Sequence, residues 1–459
     1  MIVERYAVVR ATLRALRTRR FLILAGLSGT GKTQLARRLA QSIVAADRVS
    51  GAGQQGQGSR LVEEALARAE QGESNFLFEP VPGHPEYVRV VDVGSGGAAA
   101  KADQQHEKRV GFLPVRPDWT DAKRVFGYYN PLTGRFYPTD AMVVLLNAFR
   151  EFVERGAEAG SYFLILDEMN LARVEHYFSD ILSLMESGCS LDPDEPRRVR
   201  LGELARVHPL DTLVVSQGSR GVHDQRSEAE AQAAFTGVDT GGKKVMSAAR
   251  TGTLEQMVPL RELDERRFVY EPLVKGLEFV TRPTAPLPPI DEKRHALCLL
   301  YPIPPRVAFP PNLTIIGTIN VDETTYGLSP KVLDRAFVLD FTEVSYGAAF
   351  GDRPDFAALE PLLSELHAAL APKGLHFGYR VVSEMLTFIR ESGGETDPVT
   401  LDFLLMSKVM PKLRGSETQL RDPLNSLFEL ARRRGLERTI RKVTQMLAQL
   451  DDAGHASFF

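Results

Sequence analysis

The sequence predicts an α/β fold: a mostly parallel sheet over residues 21–342, then an all-α region over residues 343–459. Three observations lead there. The apolar run at residues 21–25 passes through a glycine-rich loop into a helical pattern at 34–46. Further short apolar runs at 112–115, 162–166, 313–319 and 336–341 alternate with helical patterns at 141–153 and 174–187. From residue 357 onward amphipathic helical patterns dominate and strand-like runs vanish.

Taken in order, residues 1–20 read as an N-terminal helix. Tyr6, Val9, Leu13 and Leu16 share one face, and Arg10, Arg14 and Arg17 form a basic stripe on another, a solvated face or a nucleic-acid contact. Residues 46–110 read as a partly flexible insertion, with low-complexity stretches at 50–59 and 93–105 flanking a helical pattern at 61–71. The turn residues Asn130-Pro131-Leu132-Thr133-Gly134, between Tyr128-Tyr129 and Phe136-Tyr137, predict a small hairpin. Between 188 and 311 the pattern decays into charged and Gly/Ser-rich sequence with prolines gathered at 283–289, which reads as a long insertion.

Composition narrows the function classes. The 459 residues suit two or three domains, and 43% hydrophobic content supports sizeable cores. A net charge of −3 argues against a chain coated in basic residues. Cys189 and Cys298 form neither a disulfide framework nor a zinc-ligand spacing, which fits a reducing compartment. The nine histidines are scattered, so no metal centre is read from them. With neither an uninterrupted N-terminal apolar stretch nor a run of ~18 apolar residues, a soluble cytoplasmic protein with no membrane contact is expected.

Gly26-Leu27-Ser28-Gly29-Thr30-Gly31-Lys32-Thr33 fits G-x-x-x-x-G-K-[ST] throughout and lies between a strand and a helix. Such a loop turns backbone N–H groups onto phosphate oxygens at the positive end of a helix. Gly26, Gly29, Thr30, Gly31, Lys32, Thr33 and Gln34 are the expected nucleotide contacts. Lys32 would reach the β and γ phosphates and Thr33 would ligate Mg²⁺.

The apolar run at 162–166 ends in Asp167-Glu168. Two carboxylates at the tip of a buried strand need a cation or its water shell. Asp167 fits a magnesium ligand, and Glu168 fits the base that polarises the attacking water. The run at 313–319 ends in Asn320, placed at a strand tip to orient that water. Arg335 closes a short helical segment and fits an arginine finger acting on a neighbouring subunit, with Lys331 as the rival cation and local pairing to Asp334 as the alternative.

At these segments the chain resembles the AAA+ domain of the McrB family of modification-dependent restriction motors. Asp167-Glu168-Met169-Asn170 matches the family's Asp-Glu-x-Asn. The segment Arg116-Pro117-Asp118-Trp119-Thr120-Asp121 with Gly127-Tyr128-Tyr129-Asn130 is similar to one found after the second strand of such proteins. Phe377-Gly378-Tyr379-Arg380-Val381 resembles the start of their lid, which makes Arg380 a second sensor by resemblance. Lys408-Val409-Met410-Pro411-Lys412-Leu413 and the final Ser457-Phe458-Phe459 are similar as well.

The resemblance implies an AAA+ core with a helix-two hairpin insert and an α-helical lid. It also implies ring hexamers, hydrolysis of ATP or GTP with Mg²⁺, and a McrC-like nuclease partner, with DNA reached through partner chains. Trp119, Tyr128 and Tyr129 could then form a pore-facing surface, although aromatics beside a hairpin more often pack locally. Two departures stand out. The prototype's Asn-Thr-Ala-Asp is here Asn320-Val321-Asp322-Glu323, and the phosphate loop already begins at Gly26, where the prototype has a DNA-reading domain first. Target recognition is then expected in another chain, in the 188–311 insertion, or nowhere. Two other functions remain open: a remodelling chaperone of the MoxR or chelatase kind, and a nucleotide-gated scaffold with little hydrolysis, against which Glu168 and Asn320 speak.

Overall fold

The computed structural model describes residues 2–49, 57–91, 109–130, 135–188, 190–191, 199–200, 205–206, 212–215, 300–303, 306–321 and 326–459. Five parallel strands form the central sheet: β1 (Phe21–Gly26), β2 (Val110–Pro114), β3 (Tyr162–Asp167), β4 (Leu313–Asn320) and β5 (Phe337–Phe341). Their spatial order is β5-β1-β4-β3-β2. A parallel sheet covered on both faces needs strands that are apolar throughout rather than alternating, and Phe21, Leu22, Ile23 and Leu24 of β1 are all buried. Successive side chains enter opposite layers. Phe21, Ile23, Leu164 and Ile315 join the core beneath the helices Asp140–Arg155 and Ser179–Ser187. Leu22, Leu24, Phe163 and Ile316 join the core beneath α1 (Tyr6–Thr18), α2 (Lys32–Val49) and α3 (Gln57–Glu70).

Several expectations need correction. Residues 1–20 are more than a helix: Ile2–Arg5 is a strand, paired antiparallel with Tyr87–Val90, which in turn pairs with Phe78–Pro80. Ile2 and Val3 are buried there, so the ladder removes both apolar surface and backbone polar groups from water. The described parts of the 46–110 insertion are therefore packed structure, with α3 lying against α1 and α2 and beginning at Gln57. Residues 50–56 and 92–108, which hold most of the low-complexity sequence, lie outside the described residues. The basic stripe of α1 is a helix–helix contact. Arg10 pairs with Glu70, while Arg14 (2.9 Å) and Arg17 both pair with Glu63 of α3.

The helical pattern at 174–187 breaks at Phe178 into Val174–Tyr177 and Ser179–Ser187. The predicted hairpin forms between Gly127–Asn130 and Arg135–Pro138. Thr212–Val215 and Leu300–Ile303 extend it to four strands, so part of the 188–311 insertion builds onto the hairpin. The turn 131–134, the proline cluster and most of that insertion lie outside the described residues.

The C-terminal region has its own core, formed by the helices Phe356–Leu370, Tyr379–Glu391, Pro398–Leu404, Glu417–Arg434 and Glu437–Ala453. Strands do not vanish here. Arg414–Ser416 and His455–Ser457 pair antiparallel, tying the chain end to the start of the helix Glu417–Arg434. Among the described residues no helix is long and apolar enough to cross a membrane.

Core and helical region meet at the N-terminal strand. Val3, Val81 and Tyr87 pack against Ala348 of the helix Tyr346–Phe350, and Arg5 bridges to Glu343 at 2.6 Å. Glu4 is buried at this joint, with Arg5, Glu343, Tyr87 and Tyr379 around it. Burial pushes its carboxyl up to about 7, against the lowering pull of the Arg5 N–H and guanidinium. The folded state thus holds this proton more tightly than the unfolded chain, so stability is highest below the ordinary carboxyl range and falls as pH rises through about 7. Glu4→Gln is expected to raise stability at pH 8 by roughly 2–3 kcal/mol and to leave it unchanged near pH 4, as read by thermal melts at both pH values. An equal shift at both would remove Glu4 from this role.

Candidate functional site

The tips of β1, β4 and β3 lie side by side, so the loop leaving β1 faces whatever β3 and β4 carry at their C-terminal ends. Gly26 is required by β5, since a Cβ there would stand 2.4 Å from the Phe341 carbonyl oxygen. Gly29 (φ 80°) and Gly31 (φ 94°) take left-handed conformations that let the loop curl back over the start of α2. The Thr30 hydroxyl donates to the Leu27 carbonyl at 3.0 Å, closing the curl. Lys32 is only 4% exposed. A buried ammonium needs acceptors, and its Nζ donates to the carbonyls of Gly26 (3.0 Å) and Leu27 (2.5 Å).

Opposite the loop, the Thr33 hydroxyl donates to Asp167 Oδ1 at 2.5 Å. That contact joins residues 134 positions apart and brings the loop and the acidic strand tip into one site. The same oxygen accepts from the Thr318 hydroxyl of β4 at 2.8 Å, and the Thr318 oxygen accepts the Glu168 N–H at 3.0 Å. Glu168 has φ 52° and ψ 47°, the one non-glycine with positive φ among the described residues. Such strain persists only where surrounding structure holds it, and it clusters at functional sites. Asn320 Nδ2 donates to Glu168 Oε1 at 3.2 Å, and Asn170 Nδ2 donates to the Asn320 carbonyl at 3.3 Å. Asn320 therefore holds the glutamate carboxylate.

The donor set has a definite chemical bias. A hydroxyl and a carboxylate converge beside a lysine and a helix start, and all the candidate ligand atoms are hard oxygens. Magnesium is bound in this way, by one or two protein oxygens with the remaining positions left to water and phosphate. No group of three or more His, Cys, Asp or Glu side chains forms a metal cage among the described residues. The residues present thus fit Mg²⁺.

Other expected residues fall at varying distances from this centre. Gln34 is exposed in the first turn of α2. Arg380 stands against the loop. Its N–H donates to the Gly29 carbonyl at 3.2 Å, and its side chain is exposed. Arg335 lies outside the Lys32–Asp167–Glu168 cluster. It pairs with Glu186 rather than Asp334, and its Nη1 donates to the Lys331 carbonyl at 3.1 Å. Lys331 is exposed. Trp119 takes the local-packing alternative: it is 7% exposed and packs edge-on against Tyr177, ring centroids 5.3 Å apart. Tyr128 is half exposed, and the Tyr129 side chain lies outside the described residues, as do Asp322 and Glu323.

Two residues escaped the sequence reading. Thr318 carried a signal, being a polar side chain two positions before Asn320 and so on the same strand face. Gly378 lets the helical region touch the loop, since a Cβ there would lie 2.5–2.7 Å from the backbone of Ser28 and Gly29. Only the folded geometry reveals that contact.

A family described as a domain of unknown function, DUF8727, matches residues 344–456, the helical region. No curated protein matches the chain.

Gly378→Ala should push the helix Tyr379–Glu391 off the loop and break the Arg380 N–H bond to Gly29. Hydrogen exchange at the Arg380 amide is expected to accelerate by about tenfold or more. Unchanged exchange would mean the contact is absent in solution.

Proposed function

We propose that the chain is a magnesium-dependent nucleoside triphosphatase of the AAA+ type, acting on ATP or GTP. The observation that carries this reading is the Thr33–Asp167 hydrogen bond at 2.5 Å beside buried Lys32, with Glu168 next in the chain. The strand order supports it, because β4 between β1 and β3 sets Asn320 at the junction of loop and acids. The helical region supports it as well, since it stands against Gly29, where such a module would carry its lid.

Each side chain has a part. The loop N–H groups and Lys32 hold the β and γ phosphates, Lys32 exchanging its carbonyl acceptors for phosphate oxygens. Bound by Thr33 and Asp167, Mg²⁺ would neutralise charge between those phosphates. Glu168, aimed by Asn320, takes the proton of the attacking water. Arg335 would complete the site of a neighbouring copy. Support for assembly comes from the exposed apolar side chains around it, Leu333, Phe337 and Val338, since clustered exposed apolar surface marks an interaction site. By the McrB resemblance the assembly is a hexameric ring driving a McrC-like nuclease, with DNA contacted through partner chains, in the cytoplasm.

The test is hydrolysis of ATP and of GTP by wild type and three variants, each with binding measured in parallel. Lys32→Ala should abolish binding of both nucleotides. Glu168→Gln should bind normally while turnover falls by roughly 100-fold or more; full turnover would remove Glu168 from catalysis. Arg335→Ala should bind as wild type and lose on the order of 1000-fold in turnover. An unaltered rate there would move the finger elsewhere.

A further inference from the structure

Thr318 makes two contacts that no motif accounts for. It is 2% exposed, on the central strand β4, and its one hydroxyl is used twice. The proton goes to Asp167 Oδ1 at 2.8 Å, and the oxygen receives the Glu168 N–H at 3.0 Å. The register makes this possible. Gly317 stands opposite Leu166 in the parallel ladder, so the next residue of β4 meets the turn that begins after Asp167.

We propose that Thr318 is a positioning residue for hydrolysis: its hydroxyl clamps the metal-binding carboxylate of Asp167 to the backbone of the general base Glu168. This inference rests on the proposed triphosphatase reading and adds a residue to it.

The clamp answers a specific problem. A glutamate in the left-handed region costs of order 1–3 kcal/mol, so something must hold it there. The Thr318 oxygen does so by satisfying the Glu168 N–H in that conformation. Met169, the next residue, packs on Gly317 of β4, its sulfur filling the space that a Cβ there would need. The kink turns the Glu168 carboxylate to Asn320. Thr33 also donates to Asp167 Oδ1, but its oxygen is needed by the cation in the proposed site. Thr318 is then the hydroxyl that keeps Asp167 oriented throughout. Threonine suits the task because its methyl group fills the apolar strand layer while a stiff χ1 fixes the hydroxyl.

The experiment compares full-length wild type, Thr318→Val, Thr318→Ala and Thr318→Ser in three readouts. These are hydrogen exchange of the Glu168 amide without nucleotide, equilibrium binding of Mg²⁺ with a non-hydrolysable ATP or GTP analogue, and kcat. In the Val and Ala variants the Glu168 amide should exchange about tenfold faster or more. Analogue affinity should stay within about threefold and kcat should fall roughly 10- to 100-fold. Serine, which keeps the hydroxyl, should restore all three readouts to near wild type. Unchanged exchange, an unchanged kcat, an affinity loss as large as the kcat loss, or failure of serine to rescue would each overturn the proposal. If wild type neither binds nor hydrolyses ATP or GTP, the triphosphatase reading fails by itself. The exchange result then still decides whether the clamp exists.

Discussion

Asp167 Oδ1 accepts hydroxyl hydrogen bonds from Thr33 and Thr318, one side chain at the start of α2 and one on β4. Charge at a strand tip in a low-dielectric setting is tolerated only when it is solvated by fixed donors. Around that oxygen the strand order becomes a chemical requirement. With β4 between β1 and β3, the loop, the acidic pair and the polar end of β4 all converge within hydrogen-bond reach. The apolar strands beneath, buried on both faces, keep those tips from drifting. Precision at the site is thus inherited from the sheet.

The helical region adds a second constraint. Its core is separate from those of the sheet, yet it touches the glycine-rich loop directly. Gly378 lies against the backbone of Ser28 and Gly29, and Arg380 donates to Gly29. The N-terminal strand also packs on the helix Tyr346–Phe350, with Glu4 buried at the joint near Tyr379. A rearrangement of the loop would therefore be felt by the helical region, and a change at the Glu4 joint would be felt by the first turn of the helix that carries Arg380.

Much of this was legible in the sequence, for physical reasons that differ by residue. Asp167, Glu168 and Asn320 stand at the ends of continuous apolar runs, and Lys32 and Thr33 follow the glycine-rich loop that leaves another; short runs of this kind suit parallel strands buried on both faces, with their tips on one side. The clustering of these residues follows from that. The N-terminal strand was not legible. Four residues with the pattern Ile-Val-Glu-Arg gain strand structure only from a partner at 87–90, which local periodicity cannot see. The ribbon of Arg414–Ser416 and His455–Ser457 escaped for the same reason. Trp119 was open in the sequence because an aromatic beside a hairpin can face either way, and here Tyr177 supplies the buried face. Thr318 was hidden inside an apolar run, where a threonine reads as a β-branched filler until its hydroxyl partners are known.

If the Thr33–Asp167 contact marks a magnesium–triphosphate site, as proposed, nucleotide binding depends on the metal. The most direct measurement is equilibrium binding of ATP and GTP to the wild-type protein, with Mg²⁺ present and with Mg²⁺ chelated. At least one nucleotide is expected to bind, and chelation to weaken its binding by about tenfold or more. Absence of binding to both nucleotides, or an affinity indifferent to Mg²⁺, would contradict it.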